Sequence, residues 1–188
     1  MIITLKKDQV KALLACAAKN DIRFYLNGIL IDNSGDNGCL CVATDNHMLL
    51  AGKPDKIEYS EYGKWIVPRN ILELALKTKA KDFVIEVGTG MSGYINNLPF
   101  TCIDGQYPDL RKFVSDTDRV TTVPQFNPEL ISVAHNAAKL FSNLSKGGII
   151  LARVSKDGKQ LYYHAENCFS LVAGLRSENL VNFPRILI

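Results

Sequence analysis

Thr44-Asp45-Asn46-His47 is the stretch whose residue types come nearest to catalytic chemistry. A carboxylate two residues before an imidazole is half of a catalytic Asp/His pair, which needs a nucleophile beside it. No serine, cysteine or further carboxylate stands in a recognisable nucleophile context elsewhere in the chain. The pattern therefore favours a tight turn with Asn46 in the left-handed conformation, and it predicts neither a catalytic residue nor an enzyme.

A second motif, Gly88-Thr-Gly90-Met-Ser-Gly93, matches the G-x-G-x-x-G pattern of dinucleotide-binding proteins and follows a predicted strand. The next residues, Tyr94-Ile-Asn-Asn-Leu-Pro99, cannot open the helix whose N-terminus would hold a pyrophosphate. We predict a hairpin turn here. An enzyme of nucleotide metabolism, which only this motif supports, ranks third among the possible functions.

The five cysteines are scattered and odd in number, which is typical of reduced thiols and not of a disulfide framework. Cys39-Leu-Cys41 is a C-x-C pair on one face of a strand, not the C-x-x-C of zinc and redox sites. The sequence predicts no metal and no cofactor.

Composition narrows the class of protein. The chain has 188 residues, 47% of them hydrophobic, and no apolar run approaches the ~20 residues that cross a bilayer. The start, MIITLKKDQV, lacks a secretory cleavage pattern. We expect a soluble, cytoplasmic protein with no membrane partner. Because the net charge is only +3, any contact with nucleic acid has to come from local placement of Lys and Arg.

The order strand, helix, three strands recurs along the chain, with helix starts near residues 7, 69 and 128. The first helix is predicted over 7–20, with Val10 and Leu13 on its buried stripe. The second follows Pro68 in its first turn and is expected to bury Ile71, Leu74 and Ala75. The third begins at the cap Asn127 and Pro128.

Between the helices, turn residues separate short apolar runs. An Arg23-aromatic pair enters the first strand of a hairpin that turns at 33–38, and a polar bridge follows over 54–63. Strands are predicted at 2–5, 65–67, 83–87, 93–96, 100–104, 120–123, 148–155, 160–164 and 169–175. Each βαβββ unit leaves one face uncovered, so two such units make one self-contained domain.

Four blocks, in this order, resemble the middle domain of the bacterial sliding clamp family, the β subunits of DNA polymerase III. The blocks are Asp21-Ile-Arg-Phe-Tyr-Leu-Asn-Gly28, Val42-Ala-Thr-Asp-Asn-His47, Ile66-Val-Pro-Arg69 and Ile103-Asp-Gly-Gln-Tyr-Pro-Asp109. The resemblance implies an α+β DNA clamp fold of about three βαβββ units, or one and a half clamp domains. We expect a clamp domain at 1–115, a half domain at 116–177 and an apolar tail at 178–188.

The resemblance also implies a groove for the short hydrophobic peptides of polymerases and other clamp partners, since a linear peptide suits an apolar cleft with a polar rim. The chain departs from the family at Met48, where the family has Arg, at Asn46, where it has Gly, and at Ala173-Gly174-Leu175, where it has Met-Pro-Met. The groove residues so implied are Arg23, Leu26, Thr44, Asn46, His47, Met48, Leu49, Pro108, Lys112, Phe113, Val172, Ala173, Gly174, Leu175 and Arg176.

Duplex DNA is the second partner implied, since clamps face DNA with the polar sides of their helices and attract phosphates without reading sequence. A solvated helix face is also the ordinary place for lysine, so these residues have an ordinary explanation too. The expected DNA-binding residues are Lys7, Lys11, Asn20, Phe24, Tyr25, Arg69, Lys77 and Lys79.

We therefore expect a non-enzymatic, sliding-clamp-like processivity factor of DNA replication that binds polymerase subunits or other proteins carrying clamp-binding motifs. It would act as a homo-oligomer or together with a host clamp. The alternative is a ring-less mimic or decoy, of phage or mobile-element type, that titrates clamp-binding peptides or binds a host clamp. The apolar tail would cover the half domain or lie in the groove as a tethered ligand.

Overall fold

The computed structural model describes residues 1–35, 38–88, 90–109, 126–144, 150–155, 157–165 and 167–174. They form three helices and two antiparallel sheets, which confirms the α+β class. No helix in this part of the chain has both the length and the apolar character needed to span a bilayer. The predicted strand at 120–123 and the tail at 178–188 lie outside the described residues.

Three successive units repeat one pattern, a helix followed by three strands. Unit one is β1 (Ile2–Lys6), α1 (Lys7–Cys16), β2 (Gly28–Asp32), β3 (Leu40–Thr44) and β4 (Met48–Gly52), followed by a short extra strand, β5 (Lys56–Tyr59). Unit two is β6 (Lys64–Pro68), α2 (Arg69–Leu76), β7 (Asp82–Val87), β8 (Ser92–Ile95) and β9 (Leu98–Thr101). The described part of unit three is α3 (Pro128–Phe141), β10 (Leu151–Val154), β11 (Gln160–Ala165) and β12 (Cys168–Ala173).

Units one and two exchange their first strands. The first sheet has the order β5-β1-β7-β8-β9, so the strand before α1 lies beside the three strands of unit two. The second sheet has the order β10-β11-β12-β4-β3-β2-β6, so the strand before α2 lies beside the three strands of unit one. Unit three extends this second sheet, because β12 pairs with β4. Residues of all three units therefore share one sheet.

Strand alternation gives the second sheet two different faces. Ile29, Ile31 and Leu50 point towards the helices and share one buried core with Leu13 of α1 and Phe141 of α3. Residues on the opposite face, which we call the outer face, form a second cluster. Its buried members are Ala18, Leu26, Leu30, Val42, Leu49, Ala51, Ile66, Tyr107, Tyr162 and Leu171. The outer face is therefore the side on which an apolar groove can open.

The predicted helix starts and the caps of α3 are confirmed: Asn127 accepts a hydrogen bond from Glu129 N, with Pro128 in the first turn. The helix predicted over 7–20 is too long. It ends at Cys16 because the chain is extended at Ala17 and Asn20 is left-handed, with φ 59°. Pro68 is the N-cap of α2 and not a first-turn residue.

Four further local predictions need correction. Leu74 is 45% exposed, and Leu72 instead lies in the core, since α2 begins at Arg69 and buries the face shared by residues 72 and 75. The polar bridge 54–63 contains β5, whose residues are exposed because it is an edge strand held only by β1. Phe24–Leu26 is a 3-10 turn and not the start of a strand. The strand predicted over 100–104 is β9, which begins earlier because a two-residue turn at Asn96-Asn97 ends β8.

Candidate functional site

The corner Thr44–His47 is a tightly hydrogen-bonded turn between β3 and β4. Thr44 Oγ1 donates to Met48 O (2.7 Å) and accepts from Asn46 N (3.0 Å). Asp45 Oδ1 accepts from His47 N (2.8 Å) and from Met48 N (2.9 Å). Asn46 is left-handed with φ 78°, as predicted. Because the Asp45 oxygen serves the turn backbone, the corner is built to hold its shape and to present His47 to solvent.

The last strand of unit three lies against this corner. The β4–β12 ladder aligns Met48 with Val172 and Leu49 with Leu171. One step further, Ala173 N donates to His47 O at 2.8 Å. Two segments about 125 positions apart in the sequence thus form adjacent walls of one surface. This is the juxtaposition that the predicted groove requires.

The floor beside the corner is a row of side chains that crosses four strands on the outer face. Thr44 pairs with Leu49, Leu49 with Leu171, and Leu171 with Tyr162. The connection after β9 reaches the same row, where the Tyr107 hydroxyl accepts a hydrogen bond from Thr44 N at 3.1 Å. Burial raises the pKa of Tyr107 far above its usual value, so this phenol is protonated. It joins the connection to the corner as a neutral group.

The predicted groove residues divide between the two faces. Leu26 and Leu49 belong to the outer cluster and are buried. Met48 and Val172 point into the helix-facing core, and Met48 is only 7% exposed, so the residue at the family's Arg position is not at a solvated rim. Ala173, Gly174 and Pro108 are half-buried. The predicted groove residues Lys112, Phe113, Leu175 and Arg176 lie outside the described part of the chain.

Arg23 stands at the polar edge of the same corner. Its Nε and Nη2 donate to the two carboxylate oxygens of Asp21 at 3.0 and 2.7 Å. These hydrogen bonds from Arg23 lower the pKa of Asp21 to about 2, with a smaller contribution from the charge of His47. The charge of Asp45 in turn contributes to raising the pKa of Arg23. The rim thus combines a bidentate ion pair with the exposed imidazole of His47.

The thiols offer little reactivity. Desolvation by burial raises the pKa of Cys16 to about 12 and that of Cys102 to about 11, and the thiolate is the form that attacks or binds metal. Within the described ranges, no three His, Cys, Asp or Glu side chains are grouped so as to hold a metal ion.

The expected DNA-binding residues fall into two groups. Lys77 and Lys79 are exposed just after α2, and the described residues provide no ion pair for either. Asn20 is exposed, and Phe24 is 56% exposed on the loop after α1. Tyr25 is half-buried, with its Cβ close against Gly105. These residues keep surface free for a partner.

Arg69, Lys7 and Lys11 form the second group, because each has contacts within the protein. Arg69 Nη1 donates to the carbonyl oxygens of Leu14 (2.9 Å) and Ala17 (2.9 Å), and Arg69 Nε donates to Glu73 (2.8 Å). Lys7 Nζ donates to Thr78 O at 3.2 Å, and Lys11 pairs with Asp8 at 3.1 Å. The Arg69 side chain is only 18% exposed, so its observed contacts hold α1 to α2.

Sequence reasoning missed three members of the row: Tyr107, Leu171 and Tyr162. A signal existed for two of them. Tyr107 directly precedes Pro108 in a block already singled out, and strand alternation puts residues 171 and 173 on the face opposite to residue 172. Tyr162 had no local signal, because only the β11–β12 register brings it beside Leu171.

Comparison with known proteins gives one consistent result, although no protein-family model matches the chain. The β sliding clamp of Vibrio cholerae serotype O1 is 29% identical over 138 residues, which are 70% of this chain and 37% of that protein. The chain thus spans little more than a third of the length of this curated relative.

Solved structures agree with the sequence. The DNA polymerase III β subunit of Thermotoga maritima covers 98% of this chain, with a TM-score of 0.66 and 12% identity. The Helicobacter pylori β clamp bound to a DNA ligase peptide covers 93% of this chain, with a TM-score of 0.69 and 15% identity. This chain covers 66% and 65% of those two proteins. The expected resemblance is therefore confirmed: the chain has the DNA clamp fold and is similar in sequence and structure to the β sliding clamps of bacterial DNA polymerase III.

Proposed function

We propose that the chain is a non-enzymatic, clamp-like factor of DNA replication that holds a short hydrophobic peptide of a partner protein in the groove at the Thr44–His47 corner. The observation that carries the proposal is the hydrogen bond from Ala173 N to His47 O, with the β4–β12 ladder behind it. The row Leu49, Leu171 and Tyr162 supplies an apolar floor. Arg23 and His47 supply polar groups at the edge, an arrangement suited to a linear peptide.

The similarity to a clamp bound to a DNA ligase peptide supports a peptide as the ligand class. The proposal keeps the division into a clamp domain at 1–115, a half domain at 116–177 and a tail at 178–188. The groove would then lie where the half domain meets the clamp domain. Polymerase subunits and other proteins with clamp-binding motifs would be its partners.

Duplex DNA is the second proposed partner, contacted without sequence preference. Lys77 and Lys79 carry this part of the proposal, together with the exposed loop of Asn20 and Phe24, because their side chains are exposed. Arg69 would act indirectly by holding α1 against α2, since its donors already bind the carbonyl oxygens of α1.

The peptide proposal is tested by fluorescence anisotropy with a labelled copy of the DNA ligase peptide that the Helicobacter clamp binds. Ala173→Glu puts a charge on the outer face beside Leu171 and is expected to weaken binding at least about tenfold. Ala152→Glu is the matched control, since it makes the same change on an exposed strand of the same sheet. Absence of binding by the unmodified chain, or equal binding by both variants, would contradict the proposal.

The DNA proposal is tested by titrating a labelled duplex at several salt concentrations. The double variant Lys77→Glu and Lys79→Glu should lower affinity and reduce the slope of log affinity against log salt by about one for each phosphate that the protein no longer neutralises. Lys53→Glu, which changes another exposed lysine, should have less effect. An equal fall in affinity in the two proteins would show that only net charge matters and would remove Lys77 and Lys79 from the proposed surface.

A further inference from the structure

Units one and two complete each other by a reciprocal exchange of strands. The first of the three strands after α1, β2, is covered along five residue pairs by β6 of unit two. The first of the three strands after α2, β7, is covered along five residue pairs by β1 of unit one. In each case the covering strand is the one that directly precedes a helix, and it belongs to the other unit. Neither unit covers its own first strand.

In unit three the equivalent strand, β10, has one open edge. It pairs with β11, and no second ladder reaches it from the described residues. Leu151 is 55% exposed, and the burial pattern of β10 is exposed at three of its four residues, whereas four of the five residues of β2 are buried. Ser155 N donates to Gln160 O. Antiparallel alternation therefore turns the N–H and C=O groups of Ala152 and Val154 towards the open edge.

The other open edges carry residues that discourage pairing. β9 contains Pro99, which pairs with Tyr94 and offers no N–H. β5 carries Lys56 and Glu58, and β6 carries Lys64 and ends at Pro68. β10, Leu-Ala-Arg-Val, has no proline and a single charge, at Arg153. An apolar edge without such protection is a template for another strand.

We propose that the open edge of β10 is an interface for a second copy of this chain, in which each copy lends the segment before its α3 to the β10 edge of the other. The exchange between units one and two is the template, and a true twofold axis would replace their approximate one. The chain's own segment is not the expected occupant, because β1 and β6 both lie in the sheet opposite to the three strands of their own unit. This inference does not depend on peptide or DNA binding.

The test is light scattering of the full chain over a range of concentrations, combined with hydrogen exchange read at the amides of residues 152 and 154. A dimer is expected, with both amides gaining protection as the dimer forms. Ala152→Pro removes the donor at the open edge and Leu151→Lys adds a charge there. Each should raise the dimer dissociation constant at least about tenfold. Ile22→Lys is the control, since it makes the same change at a residue that is 94% exposed on a distant loop.

Three results would overturn the inference. A monomer at every concentration would mean that no second copy binds. A dimer that survives both β10 variants would place the interface elsewhere. Protection of residues 152 and 154 that does not depend on concentration would mean that the chain's own segment covers the edge. The exchange measurement uses the unmodified chain, so it decides the matter even if a variant fails to fold. Loss of the dimer with retained peptide binding would separate this surface from the proposed groove.

Discussion

Units one and two form a closed pair, whereas unit three depends on a neighbour. Each member of the pair covers the other's sheet, and Ile3, Leu13 and Phe83 are fully buried in their common core. Unit three is attached through one ladder, β12 on β4, and through α3, whose Phe141 ring packs against Gly52. The same supersecondary unit is thus self-sufficient or incomplete according to what covers its first strand. Four predictions test this contrast, from the largest effect to the smallest.

Phe83→Ala and Phe141→Ala should both be strongly destabilising, but in different regions. Both side chains are fully buried or nearly so, and removing a buried phenyl ring costs about 3–5 kcal/mol. Phe83→Ala should lower the free energy of global unfolding in urea. Phe141→Ala should speed hydrogen exchange in β11 and β12 more than in β1 and β7. Uniform exchange in the Phe141 variant would mean that unit three is as tightly integrated as the pair.

Gly52→Ala should loosen the attachment of unit three by about 1–3 kcal/mol, because an added methyl group overpacks the contact. A Cβ at this position would lie 2.4 Å from a ring carbon of Phe141 and 2.6 Å from Cys168 Cβ. Gly35→Ala is the control, since nothing lies within 4 Å of its added Cβ. Thermal melting of both variants is the measurement, and equal melting temperatures would rule out a tight contact at Gly52.

Arg69→Met should destabilise the pair by about 1–3 kcal/mol, because partly buried carbonyl oxygens at the end of α1 lose a charged donor. Lys77→Met, on the exposed surface beyond α2, should stay within about 0.5 kcal/mol of the unmodified protein. Urea unfolding of the two variants separates a structural role from a surface role. If Arg69→Met were neutral, its hydrogen bonds to Leu14 and Ala17 would contribute nothing to the packing of the helices.

The smallest effect concerns the Arg23–Asp21 pair at the rim. Since the folded-state pKa of Asp21 is lowered to about 2, below the usual value of about 3.9, the pair's stabilisation is present above about pH 4 and is lost as the pH falls towards 2. Arg23→Gln should raise the Asp21 pKa towards its usual value, as read by NMR titration of the carboxyl group. An unchanged pKa would assign the shift to backbone donors.

Local sequence signals predicted much of the fold, and the reasons for the misses are physical. Helix starts were readable because caps and apolar spacing are local, as at Asn127 and Pro128. The end of α1 was not, because its terminal carbonyl oxygens are satisfied by Arg69, more than fifty residues away. The corner Thr44–His47 was readable as a turn with Asn46 left-handed. Tyr107 was not, because its role depends on a hydrogen bond to Thr44 across the structure.

Residue order alone was enough to define the repeated unit, its α+β class and the family that it resembles, since spacing, turn residues and motif blocks are properties of neighbouring positions. The pairing of β12 with β4, the inward direction of Met48 and the open edge of β10 became visible only in the folded chain. Those features depend on strand register and on which unit covers which. Both are set by packing between segments far apart in the chain, and so no local pattern encodes them.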